Sequence, residues 1–253
     1  MEEEFHNHMR IPWHDYTRKS IGRPITEASL SEKASIIGRT GIMLLSCGTG
    51  AWRVRSSMNT LARELGITCT ADIGLLSIEY TCIDGGNCYT ESLCLFNTGV
   101  NTSKLYRMEE FVNKFAGNCK KMSGDELHTL LDRIHEIHGF YSPPFLGLAA
   151  AVACCAFTFL LGGGPVEMFC AFLGAGAGNY LRAKMNQHHL TLFLCTAASV
   201  ALACIVYTIA FTALKSGFHV SIHHQAGYIC SMLFIIPGFP FITSGIDLAK
   251  LDM

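Results

Sequence analysis

The chain has 253 residues, of which 50% are hydrophobic and only 15% charged, and its formal net charge is -1. Without a basic excess a polyanionic partner gains no electrostatic support, so nucleic acid is excluded as the expected ligand. The charges are also unevenly placed: beyond Arg133 only Glu136, Glu167, Arg182, Lys184, Lys215, Asp247, Lys250 and Asp252 remain, which predicts a soluble domain followed by a membrane domain.

Residues 1–28 mix Pro12, Gly22, Pro24 and charges without a period. They are expected to form a mobile N-terminal arm, with no apolar stretch of signal-peptide length. A helix is predicted from Ser29 or Ser31 to Cys47-Gly48, followed by a turn at Gly48-Thr49-Gly50. No Gly-Lys-Ser/Thr follows those glycines, so a phosphate loop is excluded. A second helix over about Ala51 to Leu65 puts Val54, Met58, Leu61 and Leu65 on one face and stops at Gly66. The β-branched run Ile67 to Ile83, and the turn signal Asp84-Gly85-Gly86-Asn87 after it, predict a β-hairpin. Two helices close this part, about Met108 to Asn118 and Ser123 to Ile137, the second opening with the capping box Ser123-Gly124-Asp125-Glu126.

The soluble part is therefore expected to be a small α/β domain over residues 29–141. His128, Asp132, His135 and His138 share its last helix, but their spacing is not that of a His-Glu-x-x-His zinc site. Solvated histidines are the expectation, with no metal and no cofactor. The twelve cysteines contain no Cys-x-x-Cys pair, half lie in apolar runs, and reduced buried thiols are expected. No Gly-x-Ser-x-Gly elbow or paired Cys/His marks a catalytic centre, so no catalytic residue is assigned.

Residues 142–253 read as a transmembrane domain with four helices, about 145–161, 166–181, 190–214 and 226–246, and the whole chain as an α-helical membrane protein with an N-terminal cytoplasmic α/β domain. Pro143-Pro144 predicts an extended entry into the bilayer. Gly174, Gly176 and Gly178 predict close helix approach, tolerant of alanine but not of leucine. Asn179 and Tyr180 are expected to end the second helix. The fourth helix is broken at Pro237-Gly238-Phe239-Pro240, where two missing backbone donors free carbonyls that protein or a hydrated cavity must satisfy. Such a break marks either a packing kink or a substrate site. Asp247, just beyond it, is a candidate proton-coupling carboxylate, or else a helix-end residue at the membrane interface. Glu167 competes with it, and Asn179 and Thr243 could hydrogen-bond a substrate. Arg182, Lys184 and Lys250 on one side, against Lys215 on the other, put the N-terminal domain in the cytoplasm.

Pro237-Gly-Phe-Pro-Phe-Ile-Thr-Ser-Gly-Ile-Asp-Leu248 resembles the Pro-Gly-Phe-Pro-Leu-Ile signature of the bacterial threonine/serine exporter family. Leu44-Leu-Ser-Cys-Gly-Thr-Gly-Ala-Trp-Arg-Val-Arg-Ser-Ser-Met-Asn-Thr-Leu-Ala-Arg-Glu-Leu-Gly66 resembles the opening of that family's soluble domain, with Gly48, Gly50, Arg53 and Arg55 as the motif positions. The likeness runs from about Ser29 to the end. It implies a multi-pass secondary exporter of the bacterial inner membrane, not an enzyme, moving threonine, serine or a dicarboxylate outward on the proton gradient. It also implies the larger, soluble-domain-bearing subunit type, and since four helices are too few to enclose a path, a smaller all-membrane partner or self-association is expected to complete it; the family continues past the Asp-Leu pair with at least one more membrane helix. The alternative from another class is a membrane-anchored hydrolase or ligand sensor, with Arg53, Arg55 and the hairpin around a pocket. A simple anchor would need neither the proline break nor the glycine-packed helix.

Overall fold

The computed structural model describes residues 11–17, 22–95, 99–137, 141–188, 190–218, 225–236 and 238–250. They form two units, one of Met1–Gly139 together with Gly238–Met253, the other of Phe140–Pro237.

The first unit is built around α1 (Leu30–Ser46), which starts where Ser29 accepts a hydrogen bond from the Glu32 amide. Every residue from Glu32 to Leu45 on it is buried. A helix buried on all sides must be walled on all sides, and α2 (Ala51–Glu64), α3 (Thr102–Lys114), α4 (Gly124–His135) and the sheet supply the walls. Gly41 permits the approach: a Cβ there would lie 2.6 Å from the Met58 sulfur of α2. Two of its buried charges form ion pairs, Lys33 with Asp84 and Arg39 with Asp132, which offsets the cost of burying them.

The sheet is antiparallel in the order β1 (Thr68–Ile73), β2 (Ser77–Asp84), β3 (Asn87–Cys94). Gly85 and Gly86 both take positive φ, 54° and 94°, so β2 and β3 are joined by the predicted two-residue hairpin. The run Ile67 to Ile83 is not one strand, however. It folds back at Gly74-Leu75-Leu76, where the Gly74 amide donates to the Ser77 carbonyl at 2.8 Å, and leucines carry no turn signal. The helix expected from Met108 begins six residues earlier, because Asn101 caps it by accepting from the Lys104 amide. The capping box at Ser123 is present as read.

Parts of the supposed mobile arm are folded. Trp13–Thr17 is a 3-10 turn with Thr17 buried, and Ile25 is fully buried, its amide donating to the Met122 carbonyl at 2.9 Å.

The second unit contains α5 (Pro143–Leu160), α6 (Pro165–Gln187), α7 (Leu192–Phe218) and the short α8 (Gln225–Cys230). Pro143 does not lead an extended entry but is the first residue of α5, where its missing N–H costs nothing. Asn179 and Tyr180 do not end α6, which runs two turns further. Among the described residues two helices are long and apolar enough to cross a membrane, Pro143–Leu160 and Leu192–Lys215, or three if the broken pair Ala226–Ile235 and Gly238–Ala249 is one span. Of the four helices expected to span, α6 is not among these: though 23 residues long, it carries Glu167, Asn179, Arg182, Lys184 and three glycines.

The interruption begins ahead of the prolines, since α8 already ends at Cys230. After α8 and a 3-10 turn at Leu233–Ile235, α9 (Gly238–Ala249) starts at Gly238 and holds Pro240 in its first turn, where no amide partner is lost. Pro237 lies outside the described residues.

Candidate functional site

The N-terminus of α2 lacks a local cap. Gly48 takes φ 76°, and the N-cap residue is Gly50, which has no side chain to offer the first amides. Asp247 of α9 supplies what is missing: its Oδ2 accepts from the Ala51 amide at 2.8 Å and its Oδ1 from the Trp52 amide at 3.2 Å. A carboxylate there answers both the unsatisfied donors and the positive end of the helix dipole. Glycine at position 50 is required by this approach, since a Cβ would stand 2.6 and 2.7 Å from the two Asp247 oxygens. One turn on, the Lys250 ammonium sits 3.1 Å from the centre of the Trp52 ring, a cation–π contact that doubles the attachment. Beside this contact lies a cavity of about 480 Å³ whose polar wall is made by Thr49, Thr243, Ser244 and Asp247.

A buried carboxylate lies in the other unit. Glu167 is 2% exposed; its Oε2 accepts from the Gly164 amide at 2.9 Å, while its Oε1 has no hydrogen-bond partner among the described residues. Gly227 of α8 packs against it so closely that a Cβ would lie 2.9 Å from the Glu167 Cβ and 2.6 Å from the Tyr207 hydroxyl. A buried carboxylate oxygen left without a donor is costly.

A family model described as "Putative threonine/serine exporter" (ThrE) matches residues 35–253. The chain belongs to this threonine/serine exporter family. The family is one of exporters and not of enzymes, and both sequence segments that carry the likeness lie inside the match. No curated protein and no solved structure matches the chain.

In this chain the two segments, almost two hundred residues apart in sequence, meet: Gly48, Gly50, Pro240, Thr243 and Asp247 line one cavity. The arginines of the same motif do not join them. Arg53 pairs with Glu109 on α3 at 2.6 Å, and Arg55 Nε donates to the Ala71 carbonyl of β1 at 3.1 Å, so both fasten α2 to its neighbours. Gly238 opens α9 without lining the cavity. Asn179 spends its amide on the Leu146 carbonyl at 2.8 Å, a bond between α6 and α5.

The expectation of solvated histidines fails at His128, which is fully buried, and Asp132 beside it is bound by Arg39 and His14. No cluster of metal-ligating side chains exists among the described residues. Trp52 and Ser244 were not singled out from sequence, and Lys250 only as a loop charge that sets orientation; the signal available was its placing one turn after Asp247.

Asp247→Ala should loosen α9 from α2 by about 1 kcal/mol, the usual worth of a helix cap. With Trp13 replaced by Phe, Trp52 is the sole tryptophan, and its emission should change as Lys250 leaves the ring. An unchanged spectrum and melting curve would mean that Asp247 does not hold the two elements together.

Proposed function

We propose that the chain is a subunit of a proton-coupled secondary exporter of threonine and serine in the inner membrane of a bacterium, with about residues 29–141 on the cytoplasmic side and residues 142–253 as the membrane part. What supports this reading most is the meeting of the two family segments at the Asp247 cavity. The groups around that cavity match the substrate class one by one. The Ala51 and Trp52 amides suit a carboxylate, Thr49, Thr243 and Ser244 suit a hydroxyl, and Asp247, once displaced from the amides, suits an ammonium. A small zwitterion with a hydroxyl side chain uses all three. A dicarboxylate would use the amides twice over but leave Asp247 facing a like charge, so it is the second choice.

Glu167 is the better coupling candidate than Asp247. Asp247 already has two donors, whereas the Glu167 Oε1 has none among the described residues and lies in the unit that holds both candidate spans. Two or three spans are too few to enclose a path, so a smaller all-membrane subunit or a second copy of the chain completes it.

The test is transport by proteoliposomes containing the full chain, with the all-membrane subunit added in a parallel set. Vesicles loaded with labelled L-threonine should release it faster than protein-free vesicles, with L-serine competing and an inward pH gradient driving net export. Release of succinate but of neither amino acid would move the assignment to dicarboxylates, and release of none would overturn the reading.

A further inference from the structure

His14 stands between two carboxylates of α4. Its Nδ1 is 2.6 Å from Asp125 Oδ1 and its Nε2 is 2.8 Å from Asp132 Oδ2. A carboxylate only accepts, and a neutral imidazole owns a single N–H, so both bonds together require the imidazolium.

The neighbouring histidine is in the opposite state. The ring of His128 lies 5.7 Å from that of His14. Arg39 Nη1 donates to its Nδ1 at 3.2 Å, so that nitrogen is an acceptor. Its Nε2 is 3.1 Å from Ser35 Oγ, whose own proton goes to the Glu32 carbonyl at 2.8 Å, so Nε2 carries the N–H. His128 is therefore neutral, and burial, with the Arg39 charge next, holds it down to about 3. Of the two rings, His14 is the one whose pKa is raised rather than lowered, and with its side chain 47% exposed it exchanges protons with solvent.

The groups around His14 come from three elements and its own turn. Asp125, His128, Asp132 and His135 lie on α4 and Arg39 on α1; Asp15 and Tyr16 share the turn, and Tyr16 reaches Glu91 of β3 at 2.6 Å. Trp13 stacks over His128 at 6.1 Å and has the Arg39 guanidinium 5.7 Å from its ring. Trp13 and His14 together wall a cavity of about 450 Å³ that also meets Met43, Ser46 and Asp132.

We propose that the turn Trp13–Thr17 is a proton-operated clip, bound to α4 through both Asp125 and Asp132 while His14 is charged, and released from α4 on its Trp13 side when His14 loses its proton. Deprotonation leaves one N–H for two carboxylates. One bond is then lost and the unpaired ring nitrogen faces a carboxylate oxygen, a repulsive contact at this distance. The hydrogen bonds to Asp125 and then Asp132 raise the pKa of His14 above its ordinary 6.5. The clip is thus fully closed below pH 6.5 and opens as the pH rises through that raised value. This inference stands apart from the exporter reading and survives its failure.

The test uses the full chain in lipid nanodiscs with Trp52→Phe, leaving Trp13 as the only tryptophan. Between pH 5.5 and 9 its emission should pass through one transition, red-shifted on the alkaline side, with a midpoint above 6.5. His14→Gln should abolish the transition and hold the emission at its alkaline position across the range. Asp125→Asn should lower the midpoint. Hydrogen exchange of residues 11–17 in the unsubstituted chain, corrected for intrinsic rate, should show protection lost above the same midpoint, which covers the case of a variant that fails to fold. A flat titration in the parent, a transition that persists in His14→Gln, or protection unchanged by pH would each overturn the proposal.

Discussion

Gly174→Ala should prevent the second unit from assembling normally, while Gly176→Ala, two residues away, should be close to neutral. The three glycines of α6 do not share one partner. A Cβ on Gly174 would lie 2.8 Å from the Ala203 carbonyl oxygen of α7, and one on Gly178 would lie 2.8 Å from the Ser199 carbonyl oxygen of the same helix. Both clashes are with backbone, which cannot rotate away, so α6 and α7 must move apart. On Gly176 the Cβ would meet the Ala151 methyl of α5 at 3.2 Å, a contact relieved by a few tenths of an ångström. Overpacking of this kind costs about 1–3 kcal/mol per site, and the double change Gly174→Ala with Gly178→Ala should sum toward the upper end and beyond. The equal tolerance of alanine expected from sequence at all three positions is thus corrected at two of them. Thermal unfolding and monodispersity in detergent measure the effect. If Gly174→Ala melts with the parent, α6 and α7 do not pack as closely as described.

Glu167→Gln should lower uphill export by tenfold or more while leaving downhill exchange of threonine near the parent rate. The glutamine carbonyl can still accept from the Gly164 amide, so the helix start is retained and only the ionisable oxygen is removed. Loss of pumping with retained exchange is the behaviour of a coupling group, since exchange needs no net proton movement. Asp247→Asn makes the control. It replaces one of two acceptors beside the α2 amides with a donor, so it should weaken substrate handling in both modes alike. The measurement is threonine efflux from proteoliposomes with and without an imposed pH gradient. Normal pumping by Glu167→Gln would reduce Glu167 to a helix cap, and an effect of Asp247→Asn on pumping alone would return the coupling role to Asp247.

The chain's own sequence determined what depends on residues within about four positions of one another. Ser29 and Ser123 start helices because their hydroxyls reach amides three residues on, Gly66 and Gly85-Gly86 turn the chain because only glycine takes positive φ freely, and Pro237-Gly238-Phe239-Pro240 interrupts the last apolar stretch. The family likeness was legible for the same reason, as short motifs in order. The tertiary structure alone decided which of those motif residues act together. Asp247 finds the amides of Ala51 and Trp52 across 196 and 195 residues, while Arg53 and Arg55, adjacent in sequence to that site, are taken by Glu109 and the Ala71 carbonyl. His128 looked solvated because its own helix face is polar; Arg39 and Ser35, brought from α1, bury and neutralise it. A side chain's charge state and role follow from the groups within about 4 Å of it, and those come from segments whose distance along the chain says nothing of their distance in space.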